Sequence, residues 1–169
     1  HIKGILLGKL GNVCEAQECD EQLRKADILF IPDFCDTRYA LHFAAEYIRF
    51  GLYEEAESVL QKAKDNALKF YYLAYLENKL GRDAKQYLSK AEKENTAYNF
   101  PSRPDDVAIL QWACTPRSAY YLGCLFYGFE RYGEAAKAWE KAIDAEELGP
   151  AYRNLALAYF DHLEQPEKA

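Results

Sequence analysis

The stretch "YYLGCLFYGFERYGEAAKAWEKA", residues 120–142, decides how the chain is read. Bulky aromatics stand at Tyr120, Phe126, Tyr132 and Trp139, and small residues at Gly123, Ala135 and Ala142. Apolar positions recur at three- and four-residue intervals, the period of a helix buried along one face. The ordering of large and small serves catalysis, ligand binding or packing, and the rest of the chain decides among them.

The same period runs through almost the whole sequence, and no alternating strand pattern develops; "YALHFAAEYIRF" (39–50) is helix. Punctuation sets the boundaries. Gly51 closes one helix before "LYEEAESVLQKAK", and Gly81 closes another before "RDAKQYLSKAEKE". Thr115-Pro116 reads as an N-cap followed by proline at the first helical position, and Gly149-Pro150 as a helix end with an immediate new start. Ser102 with Asp105, ahead of "VAIL", reads as a capping box for a short extra helix. The predicted class is all-α.

The predicted helices pair, and the pairs echo one another. Leu122-Gly123 with Phe126 returns as Leu155-Ala156 with Tyr159, 33 positions later. Phe43-Ala44 with Tyr47 is a further copy, and Leu73-Ala74, continued by Gly81, Ala84, Leu88 and Ala91, is a fourth. A helix–turn–helix period near 34 residues predicts a solenoid.

On these residues the chain resembles the tetratricopeptide repeat family, and residues 116–149 carry its pattern closely: Leu122, Gly123, Phe126, Tyr132, Ala135, Trp139 and Ala142. The resemblance implies an α-solenoid of antiparallel helix pairs wound into a right-handed superhelix, with an inserted extra helix. Gly123, Ala135 and Ala142 are then expected where paired helices approach most closely, and Phe126, Tyr132 and Trp139 between adjacent pairs. The array divides into a degenerate repeat (1–37), a repeat (38–69), a short repeat (70–95) whose turn after Gly81 runs about two residues short, a loop plus extra helix (96–115), the best-matching repeat (116–149) and a truncated one (150–169). The runs "GLYEEAESVL", "YYLAYLENKLGR", "YNFPSRPDD" and "AYRNLALAYFDHL" further resemble the repeat segment of large, mostly bacterial proteins. These also carry a β-rich domain of unknown function with a suspected glycan link. The chain opens on His1 and holds no Met, so a piece of a longer protein is expected.

Composition narrows the function classes. The formal net charge is −6, and no Lys/Arg cluster supplies the basic footprint of a nucleic-acid binder. The longest apolar run, "FYYLAYL" (70–76), is far shorter than a membrane span, so the chain reads as soluble, without membrane insertion. Cys14, Cys19, Cys35, Cys114 and Cys124 are odd in number and contain no C-x-x-C, which favours reduced thiols and the cytoplasm. "GILLGKLGN" (4–12) lacks the spacing and the Ser/Thr of a phosphate loop. His42 and His162 have no second ligand at metal spacing, no Cys-His arrangement is legible, and Asp105-Asp106 and Glu54-Glu55 read as helix-start charges. No enzyme, metal or cofactor is expected.

The resemblance places function on the concave face, lined by the first helix of each pair. It implies groove contacts at Tyr71, Tyr75, Tyr120 and Tyr127, with Leu157 and Phe160 further along, and cations at Arg49, Lys79 and Arg153. Relatives that grip chaperone C-termini use asparagines where Ala45, Tyr75, Cys124 and Leu157 stand here, so that specificity is not expected. The expected function is a non-enzymatic interaction or scaffolding module using a tyrosine-rich groove for a protein or peptide. The alternative is an accessory segment of a carbohydrate-active protein, contacting glycan or bracing a domain of its own protein.

Overall fold

The computed structural model describes residues 2–25, 36–96 and 100–169; Cys35 lies outside them. Among the described residues ten α-helices follow in order: α1 (Ile2–Lys9), α2 (Val13–Lys25), α3 (Thr37–Arg49), α4 (Tyr53–Lys62), α5 (Ala67–Lys79), α6 (Lys85–Lys93), α7 (Pro104–Ala113), α8 (Pro116–Gly128), α9 (Tyr132–Ala145) and α10 (Gly149–Asp161). A 3₁₀ turn, Pro166–Lys168, closes the chain, and no strand occurs among the described residues. The fold is all-α, and the antiparallel pairs α1–α2, α3–α4, α5–α6 and α8–α9 are its units.

The pairs share one turn. After α1, α3, α5 and α8 a single residue turns left-handed: Gly11 (φ 82°), Gly51 (70°), Gly81 (73°) and Glu130 (61°). The next amide reaches back five residues, from Asn12 to Leu7 O (2.9 Å), Leu52 to Tyr47 O (2.9 Å), Arg82 to Glu77 O (2.7 Å) and Arg131 to Phe126 O (2.9 Å). This is the Schellman closure, which satisfies carbonyls that a helix end leaves open. In the last three pairs the accepting residue stands four after Phe43, Leu73 and Leu122, so the sequence echo is also a backbone echo. The connection after Gly81 is not short: α6 starts four residues past Gly81, against two past Gly51, and it is the helix that is clipped.

The small residues lie where helices touch. Ala44, Ala56, Ala74, Ala91, Ala135 and Ala142 are fully buried. Gly123 is the tightest position, because a Cβ built on it would stand 2.3 Å from Trp139 Nε1. Trp139 is therefore wedged into its own pair, rather than only between pairs as the pattern suggested. Its indole N–H donates to Tyr120 O at 3.1 Å, which settles the one polar group of a buried side chain.

The extra helix is present as α7, and it docks on α5 and α8. Its N-cap is Arg103 and the box partner is Asp106, each one residue beyond the Ser102 and Asp105 expected for those roles. The Asp106 carboxylate accepts from the amides of Ser102 and Arg103 (both 3.0 Å) and from the Tyr72 hydroxyl at 2.5 Å, and it is 1% exposed. Thr115 caps α8 as read, accepting from Ser118 N at 3.3 Å. Gly149 does not end α9, which closes at Ala145; it opens α10 behind Leu148. Between α4 and α7, helix α5 buries nine of its thirteen residues.

Candidate interaction surface

The tyrosines and cations expected to share one groove are separated by the insertion. Tyr71 is fully buried. Its hydroxyl donates to Glu92 and lies 3.1 Å from Thr115 Oγ1, and burial pushes its ionisation well above the ordinary phenol range. Thr115 also donates to Glu92 at 2.6 Å, so Tyr71 belongs to a knot joining α5, α6 and the start of α8. Tyr75 meets Trp112 of α7 edge to face at 5.5 Å, and the Lys79 ammonium sits 5.0 Å from the Tyr75 ring. Arg49 is held by Asp105 in a two-bond fork of 2.9 and 2.7 Å, and by Glu46 at 3.1 Å. Charge that was expected to face a partner is spent on seating α7.

Tyr120 is also interior, with its phenol raised by burial and by the neighbouring Cys124. Tyr71 and Tyr120 are thus core residues and present no surface. The reason is long-range: Tyr71 is enclosed by Glu92 of α6 and by α8, and Tyr120 by Tyr121 and Cys124 of its own helix with Asn154 of α10, contacts that offsets along one helix do not give.

Tyr127 and Arg153 remain, at the α8–α10 end. The Tyr127 ring lies 5.7 Å from Trp139 and 5.2 Å from Tyr132, and its hydroxyl is 2.8 Å from His162 Nε2. His162 in turn stacks on Tyr132 at 3.8 Å with the rings 3° from parallel. That histidine is a packing group that fastens α10 to α9. Arg153 is exposed on α10.

Beside this cluster lies a cavity of about 230 Å³ lined by Phe100, Cys124, Tyr127, Trp139, Asn154 and Leu157. Phe100 is 59% exposed and Leu157 42%, so the rim is open and apolar. The Asn154 amide points to Cys124 Sγ at 3.9 Å and is the cavity's polar side chain with hydrogen-bonding reach on α10. Phe100 also borders a second cavity of about 180 Å³ with Arg38, Leu41, Asn66, Leu68, Ser102, Arg103 and Asp106. One side chain from the insertion stands between the two. Sequence reasoning found Leu157 through the helix offsets but missed Phe100 and Asn154; the only signal for Phe100 was an aromatic directly ahead of Pro101.

Burial raises the Cys124 thiol, which keeps it neutral, and Cys114 receives Lys141 Nζ at 3.2 Å with no imidazole among its hydrogen-bond partners in the described residues. Among the described residues no group of three His, Cys, Asp or Glu is placed to hold a metal ion, and no helix is long and apolar enough to cross a membrane. Comparison of the chain with protein-family models, curated proteins and solved structures returns no match.

Proposed function

We propose that the chain is a tetratricopeptide-type solenoid, wound right-handedly, that works as a non-enzymatic interaction module and takes a bulky apolar side chain of a protein partner into the cavity beside Phe100. The observation that carries this is the cavity itself. Its walls are aromatic (Tyr127, Trp139), its rim is the exposed pair Phe100 and Leu157, and Asn154 offers one amide to orient a backbone. Concave, mostly apolar sites with a few placed polar groups are what ligands use. The shared turns and the 33-residue echo support the repeat assignment.

The quoted runs support a further reading of the chain as part of a large bacterial protein beside a β-rich domain. Free thiols at Cys14, Cys19, Cys114 and Cys124 support a reducing compartment, the cytoplasm, and the net charge of −6 supports partners other than nucleic acid. An amide over an aromatic floor also suits a sugar ring, which keeps glycan as the second reading.

Selection from a displayed random-peptide library, followed by titration against tryptophan fluorescence, tests the proposal. Enriched peptides should carry an aromatic or large aliphatic anchor. Their affinity should fall at least about tenfold in Leu157→Asp and in Phe100→Ala, and stay unchanged in Tyr75→Phe. Equal binding by all variants, or no enriched peptide, would overturn it. A fluorescence change with oligosaccharides alone would select the glycan reading.

A further inference from the structure

A third cavity, of about 310 Å³, lies where α7 and α9 flank α8, and it shares no residue with the cavity beside Phe100. Its volume falls within the range of about 300–1,000 Å³ that holds small molecules. The floor is apolar. Leu110 of α7 and Ala119, Leu122 and Phe126 of α8 are buried there, and the half-buried Ala138 closes the α9 side. The hydroxyl in that floor, Ser118, is already used by the α8 cap: it donates to Thr115 O at 2.9 Å and accepts from Thr115 N at 2.8 Å. A ligand therefore finds no free side-chain hydrogen bond in the interior.

The rim is cationic. Lys137 and Lys141 stand one turn apart on α9, a like-charge spacing that weakens a helix. The carboxylate on the rim, Glu134, is taken by Arg131 in a two-bond fork. Lys141 leans across to Cys114 Sγ at the end of α7, a weak acceptor, and neither lysine is paired with a carboxylate among the described residues. We propose that this cavity binds an aliphatic carboxylate, with its chain along the Leu110–Leu122–Phe126 floor and its head group between the two ammoniums. Charge selects among amphiphiles: an alkyl ammonium would meet two like charges, and an alkyl amide or alcohol would leave both unanswered. Length follows from the floor. From Ala119 to Phe126 it spans two turns of α8, about 11 Å at a rise of about 1.5 Å per residue, which suits a chain of roughly eight carbons.

Amide NMR on the 169-residue chain, titrated with octanoate, tests this. Saturable shifts at Ala119, Leu122 and Ala138 are expected, with a sub-millimolar dissociation constant. Lys137→Gln with Lys141→Gln should weaken binding at least about tenfold, the scale of a charge-assisted contact. Octanamide, equal in length but uncharged, should bind the wild type no better than octanoate binds that double variant. Ala138→Leu, which fills the floor, should remove binding, and Leu157→Asp at the other cavity should leave it unchanged. Circular dichroism confirms that each variant keeps its helices. Shifts that never saturate would overturn the proposal. So would equal affinity for octanoate and octanamide, equal affinity of the double lysine variant and the wild type, or shifts that centre on Asn154 and vanish in Leu157→Asp.

Discussion

A methyl group added at Gly123 would stand 2.3 Å from Trp139 Nε1 and 2.4 Å from its Cδ1. Alanine improves helix propensity by about 1 kcal/mol. Overpacking a rigid buried indole costs about 1–3 kcal/mol, and the Trp139–Tyr120 hydrogen bond goes with it. Gly123→Ala is therefore expected to destabilise the fold by about 1–2 kcal/mol in urea titration, and an unchanged midpoint would contradict the wedge. Trp139→Ala, which leaves the site empty, should cost about 3–5 kcal/mol. Glu130 makes the opposite case. It holds a left-handed turn that glycine fills in the three sister turns. Relief of about 1–2 kcal/mol of strain outweighs the roughly 0.5–1 kcal/mol of chain entropy that glycine loses. Glu130→Gly should thus raise stability by about 0.5–1 kcal/mol. The interlock of aromatic and small residues was legible because it is local to one helix pair. The strained glutamate was not, since only comparison of the four turns exposes it.

Among the elements, α7 depends most on a single side chain. Asp106 holds two backbone amides and the Tyr72 hydroxyl from a position closed to water. Asp106→Ala leaves the buried Tyr72 hydroxyl without its acceptor, at about 1–3 kcal/mol, and releases the less buried amides of Ser102 and Arg103 to solvent. The loss should appear first as faster hydrogen exchange in α7. Asp106→Asn keeps an acceptor oxygen and should lie between the alanine variant and the wild type. The existence of this helix could be read from Ser102, Asp105 and the apolar "VAIL", but its docking could not. Nothing local in the sequence says that Arg49 reaches Asp105, 56 residues away, or that Tyr75 meets Trp112. For that reason the groove inferred from offsets along α5 turned out to be lined with insertion contacts, and the open cavity lies further along, at α8 and α10.

Over the whole molecule, buried phenols set the response to alkali. Burial holds Tyr71, Tyr72, Tyr120 and Tyr121 protonated beyond the ordinary 10.0, and the hydrogen bond to Glu140 pushes Tyr159 up to about 12. In the unfolded chain these groups lose their protons near pH 10, while the folded chain keeps them. The folded state then binds more protons, so stability is full below pH 10 and falls as pH rises above it. Denaturant midpoints should be flat up to about pH 9 and drop between about pH 10 and about pH 12; no drop would mean the phenols are open to solvent. The all-helical class and the pairing were legible from period and punctuation alone. Which faces the pairs share with the insertion depends on contacts far apart in sequence.

The enclosure of α5 bears on how the array comes apart. In a plain solenoid each unit touches only its neighbours, and melting creeps inward from the ends. Here α3, α4, α6 and α7 all pack on α5, so no terminal unit can peel away and leave that helix half-dressed. The amides of α5 should exchange only through opening of the entire central block, at one common rate, while those of α1 and α2 exchange earlier. The insertion thereby converts a chain of separable links into a single cooperative latch.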